Sequence, residues 1–216
     1  MLILTGQKTY NSPNDFSDAE VIGLSGLLGL HDDFSDPDID IICYIDRAVD
    51  YIRVDITSPD IAELKLVIYP TNRSIYNESF VKRGKRTGLA ASWVKSQVTF
   101  ASLFSFDILQ GQAFRDKSET SSNDKSESDR IRWTGYLIWA KFGYLMTEPY
   151  ISKFNALLTE NGKQAESLLD LISTEEGLSF WAEFGDSWEG VFNLMPPQSD
   201  SRKILRSYQP SGKMYN

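Results

Sequence analysis

A single cysteine and a single histidine leave this chain few of the usual reaction chemistries. Cys43 has no partner for an internal disulfide and suits a reducing compartment, so the sequence predicts a cytoplasmic protein. With His31 alone, a multi-histidine zinc site is excluded, and any Ser-His-Asp or Cys-His arrangement has to run through it. His31 opens the acidic stretch His31-Asp32-Asp33-Phe34-Ser35-Asp36-Pro37-Asp38, which lacks the ordered carboxylate–Gly–Glu spacing of a calcium loop and reads as a solvated loop. No metal site is expected. No apolar run approaches the ~20 residues of a membrane helix. Met1-Leu2-Ile3-Leu4-Thr5-Gly6 has neither the basic flank nor the long apolar core of a signal peptide, so no membrane partner is expected. Basic residues are outnumbered, 22 against 30 acidic, for a formal charge of -8. That balance disfavours nucleic acid, whose backbone demands an excess of Lys and Arg.

What is present is enough apolar material for a core. Of 216 residues 41% are hydrophobic, which supports one domain or one domain with an appendage. Between Asp18 and Leu30 a helix is expected in which Gly23, Gly26 and Gly29 recur every third residue. Because these glycines lie within the element and not between a strand and a helix, close packing or a frayed segment explains them better than a phosphate loop.

From Ile39 the texture turns β-branched and aromatic. The stretches 39–45, 50–56, 64–69 and 74–81 read as strands separated by turn residues, a meander of antiparallel neighbours. Gly88 to Phe104 reads as a helix burying Leu89, Trp93, Val94, Val98, Ala101 and Phe104, with Lys95 and Gln97 off that stripe. A strand over 106–113 follows. Residues 115–130 contain no large apolar side chain and are expected to form an exposed, mobile loop. Beyond it come a helix over 134–142, a short strand over 143–146, helices over 149–160 and 165–172, and a helix capped by Thr174 that ends at Phe184. A strand over 190–194 and a last helix capped by Ser199 complete the chain. Trp93, Trp133, Trp139, Trp181 and Trp188 read as core or groove-lining residues.

Two segments carry candidate chemistry. Arg83-Gly84-Lys85-Arg86-Thr87-Gly88-Leu89-Ala90 joins the fourth strand to its helix, where glycines and cations leave backbone N–H groups to meet a phosphate. Tyr136-Leu137-Ile138-Trp139-Ala140-Lys141-Phe142-Gly143-Tyr144 is a helix end followed by a Gly-aromatic step.

Strands, a Gly-containing turn, a helix, a strand, then a helix and a Gly-aromatic strand resemble the GNAT-type acyl-CoA N-acyltransferases, including uncharacterised GNAT-like domains of phage and mobile-element proteins. The resemblance spans about residues 39–146. It implies an α+β fold with a central, mostly antiparallel mixed sheet flanked by helices. Residues 1–38 would precede a core at 39–148, and 149–216 would form a mostly helical extension packed on it. It further implies that the family's Gln/Arg-x-x-Gly-x-Gly/Ala turn, matched best by Lys85 to Ala90, holds the pyrophosphate of acetyl-CoA or another acyl-CoA. Arg83 and Arg86 would add cationic contacts. Trp139 stands where many members carry the tyrosine that protonates the departing thiolate, and an indole N–H is too weak an acid for that role. Tyr136 or Tyr144 is then the candidate acid. Glu63 or Glu78, with Asp55 nearby, is the candidate base that deprotonates an acceptor amine. A negative surface favours a cationic amine acceptor, small molecule or protein. Alternatively the same frame serves as a non-catalytic binding or inhibitory protein whose acidic, aromatic surface meets a basic protein partner.

Overall fold

The computed structural model describes residues 12–29, 42–58, 61–82, 88–113 and 135–208. They form an α+β fold around a seven-stranded mixed sheet. Four strands build a meander: β1 (Ile42–Arg47), β2 (Ile52–Ser58), β3 (Ile61–Tyr69) and β4 (Ser74–Lys82), each antiparallel to the next. Alternation explains their faces. Ile52, Val54 and Ile56 of β2 lie beside Leu64, Leu66 and Ile68 of β3, all essentially fully buried, while Arg53, Asp55 and Lys65 point the other way.

Helix α2 (Leu89–Leu103) covers the buried face and leads to β5 (Ile108–Ala113), which pairs parallel to β4. Leu89, Trp93, Val94, Val98 and Ala101 are buried as their spacing predicts, and Gly88 and Phe104 flank the helix. Gln97, expected off the stripe, is fully buried as well. It stands four residues after Trp93 and four before Ala101, so it falls on their face of the helix.

The glycine series has a packing explanation. Helix α1 (Asp18–Leu24), capped by Ser17, and the 3-10 turn Leu27–Gly29 lie along α2. A Cβ on Gly23 would stand 2.5 Å from Phe100, one on Gly26 2.5 Å from Trp93, and one on Gly29 would strike the Ser92 carbonyl. Spacing by three aligns the small residues with one neighbouring helix. Gly26 also has φ of +77°, where a side chain is strained.

After β5 come α3 (Gly135–Lys141) and the two-residue β6 (Leu145–Met146). Helices α4 (Tyr150–Glu160), α5 (Leu168–Leu171) and α6 (Glu175–Phe184) follow, then β7 (Trp188–Asn193) and α7 (Asp200–Ser207). Thr174 Oγ1 accepts from Gly177 N at 3.0 Å and Ser199 Oγ from Arg202 N at 3.4 Å, so both predicted caps sit where expected. The strand order β1-β2-β3-β4-β5-β7-β6 brings one difference from the expected division of the chain. The C-terminal third is mostly helical, yet it supplies β7, which is antiparallel to β5 on one side and β6 on the other. Trp188 and Phe192 of β7 are buried in the core, so this stretch completes the sheet. Residues 1–11, 30–41 and 114–134, including His31, Trp133 and the polar stretch 115–130, lie outside the described residues.

Candidate functional site at the parting of β4 and β5

Parallel pairing between β4 and β5 runs from Ser74–Ile108 to Asn77–Gly111 and then stops, although β4 continues along β3 to Lys82 and β5 continues along β7 to Ala113. The break coincides with a β-bulge. Lys65 faces Ser79 and Leu66 faces Asn77, leaving Glu78 as the extra residue. A bulge resets the two-residue alternation, so Asn77 and Phe80, three apart, both turn toward α2.

Side chains fill the space this creates. Asn77 Nδ2 donates to Gln97 Oε1 at 2.9 Å, and Gln97 Nε2 returns a bond to Asn77 Oδ1 at 2.9 Å. The second Nδ2 hydrogen goes to Tyr144 Oη, also at 2.9 Å. Above them Phe80 stacks on Trp93, with centroids 4.7 Å apart and planes 6° from parallel. Trp139 meets Trp93 edge-on at 5.6 Å and Tyr144 at 4.8 Å. The Trp93 indole N–H donates to the Ser25 carbonyl at 2.7 Å, which ties the glycine-rich segment into the same cluster. Gly143, with φ of +94°, turns the chain from α3 to β6 so that Tyr144 enters the sheet beside Phe192.

The predicted acid–base residues occupy two separate places. Tyr144 is buried, and burial pushes its phenol far above the ordinary tyrosine range, which makes it a poor proton donor. Tyr136 belongs to α3, but its side chain lies outside the described residues. Glu63, Glu78 and Asp55 are on the sheet face opposite α2, beside cations. Glu63 accepts from Lys65 Nζ at 2.6 Å, and this bond holds its carboxyl below the usual range. Glu78 is bonded to Arg53, which also stands 3.9 Å from Asp55. The sheet separates this ionic group from Tyr144.

Of the predicted phosphate turn, Arg83, Gly84, Lys85, Arg86 and Thr87 lie outside the described residues. Gly88 has φ of +79° and leads into α2 with no side-chain cap and no acidic residue in the first turn, and the space where a Cβ would stand is open. Leu89 is buried and Ala90 half-buried.

Asn77 and Gln97 were not among the candidates. Polar residues in a strand and a helix read as surface, and the clue available was Gln97's position four residues from Trp93. Among the described residues, no group of three or more His, Cys, Asp or Glu side chains is placed to hold a metal ion. Among those residues too, no helix is long and apolar enough to cross a membrane. Comparison with family models, curated proteins and solved structures finds no match for the chain.

Proposed function

We propose that this chain is a non-catalytic binding protein built on a GNAT-like frame, with its sheet face opposite α2 turned toward a basic partner. One observation carries the reading. The parting between β4 and β5, the place where a thioester would have to lie against Gly88's helix, is occupied by Trp93, Phe80 and Trp139 over a closed Asn77–Gln97–Tyr144 network. Each polar side-chain atom of that network has a partner within it, an arrangement that suits a core. The GNAT-like frame is supported by the order of elements: a meander, a helix, a strand parallel to β4, then a helix and a Gly-aromatic strand.

The opposite face is the surface this reading assigns to the partner. Among the described residues, Asp46, Asp55, Glu63 and Glu78 share it with Arg53 and Lys65, and Tyr44 stands 62% exposed among them. Tyr51 and Tyr69 add a ring pair at 6.2 Å. Tyrosines interleaved with carboxylates suit a cationic peptide, which they meet through cation–π contact and charge.

A second reading, acyl-CoA-dependent N-acyl transfer to a cationic amine, is favoured by Gly88 alone. An uncapped helix start with open space above it retains donors for a pyrophosphate.

Two calorimetric titrations separate the readings. Octalysine should bind saturably and more weakly as salt rises, and Tyr44→Ser should weaken it about tenfold. Acetyl-CoA should give no heat and no acyl transfer to spermidine. Acetyl-CoA binding that Gly88→Trp abolishes, with turnover, would replace the first reading by the second.

A further inference from the structure

A groove of about 590 Å3 lies between α2 and α7, away from the parting of β4 and β5. We propose that it binds an organic anion with an apolar body, such as an alkyl sulfate, phosphate or carboxylate. Its volume falls within the range of small-molecule sites. The floor is apolar, made by Val98, Leu103 and Leu205, and Leu103 is 52% exposed there although it is a leucine on a folded surface. The rim is cationic: Lys95 from α2, with Arg202 and Arg206 from α7.

The charge pattern is what demands a ligand. The chain carries -8 overall, yet three cations gather on this one groove. Six cations elsewhere are matched: Arg47 with Asp18, Arg53 with Glu78, Lys65 with Glu63, Arg73 with Asp107, Lys163 with Glu176 and Lys203 with Asp200. Among the described residues none of the three groove cations meets a carboxylate. Arg202 spends one N–H on Ser102 Oγ, and its Nε is buried with no hydrogen-bond partner. Among the described residues Arg206 reaches only the Pro197 carbonyl, at 3.1 Å. Burial, and after it the neighbouring Arg206, hold the Arg202 guanidinium below its ordinary range.

A bound anion would occupy donors that are already gathered, and an alkyl chain would cover Val98, Leu103 and Leu205. Both parts are needed. Inorganic phosphate alone would leave the floor wet, and a neutral alcohol would leave the cations unmatched.

The test is calorimetry on the full chain with octyl sulfate below its micellar range, beside octanol and inorganic phosphate. Octyl sulfate should bind saturably, at least tenfold more tightly than either control. The double variant Lys95→Gln/Arg206→Gln should lose at least tenfold in octyl sulfate affinity. Both residues are exposed, and removing like charges should leave the urea midpoint unchanged or raised. The proposal is overturned by absence of saturable binding, by octanol binding as tightly, by a variant that keeps its affinity, or by a variant whose midpoint falls, which would make the cations structural.

Discussion

Asn77 of β4 and Gln97 of α2 exchange two amide hydrogen bonds of 2.9 Å across the interface between sheet and helix, and both are buried. The pair fixes how α2 sits on β4 at the point where β5 departs, because only one rotation and one height of the helix align two carboxamides. Replacing Asn77 with Ala strands Gln97 and the Tyr144 hydroxyl in the core. The expected loss is about 1–3 kcal/mol for each group left unsatisfied. Asn77→Leu/Gln97→Leu removes donors and acceptors together and should lose less than the sum of the single changes. Urea midpoints at constant slope measure both.

Tyr144 gives the pair a pH signature. Its folded phenol ionises far above the unfolded one, so between the two values the unfolded chain binds fewer protons and stability falls as pH rises. Below the ordinary tyrosine value of about 10 the contribution is fully present. The stability difference between the wild type and Tyr144→Phe should therefore be flat to about pH 10 and then shrink by about 1.4 kcal/mol per pH unit. Parallel pH curves for the two proteins would refute the buried assignment.

Gly26 and Gly162 separate backbone strain from crowding. Both have positive φ, +77° and +61°, but a Cβ on Gly26 meets Trp93 at 2.5 Å whereas Gly162 faces open space. Gly162→Ala should cost about 1 kcal/mol, and Gly26→Ala about 1–3 kcal/mol more. Equal losses would mean that Trp93 is free to move aside.

Trp93 is the centre of the aromatic filling. Trp93→Ala removes a fully buried ring, its stack on Phe80 and its bond to the Ser25 carbonyl, and should cost about 3–5 kcal/mol. If the reading of a plugged frame is right, the milder Trp139→Tyr, which puts tyrosine at the position the acyltransferases use, should create no acyl transfer to spermidine from acetyl-CoA. Turnover in that variant would show that the plug is not what prevents the reaction.

The helices were largely legible in the sequence because local rules govern them. The apolar spacing from Leu89 to Phe104 and the hydroxyls of Thr174 and Ser199 each act within a turn or two of chain. The meander was legible for the same reason, its neighbours being joined by short turns. Three features were not. The bulge at Glu78 depends on register with β3, and no residue type marks it. The Asn77–Gln97 pair joins positions on different elements and looks like surface polarity until they are brought together. The place of β7 is a matter of topology: Gly190 to Leu194 reads as a strand, but nothing local says that it lies between β5 and β6. Of the candidate site, the aromatic residues were visible as core, while the sheet that divides Tyr144 from Glu63 and Glu78 appears only in three dimensions.

That position of β7 has a consequence for how the molecule is made. Among the described strands, β6 touches only β7, and β7 supplies the outer neighbour of β5. The meander is assembled from contacts close in sequence and is able to form early, as soon as its turns close. The other half of the sheet has to wait until everything between Ala113 and Trp188 has been synthesised, with Leu109 and Ala113 lacking their β7 partners in the meantime. A nascent chain halted before Trp188 would thus carry an ordered half beside an open strand edge, the kind of intermediate that chaperones hold.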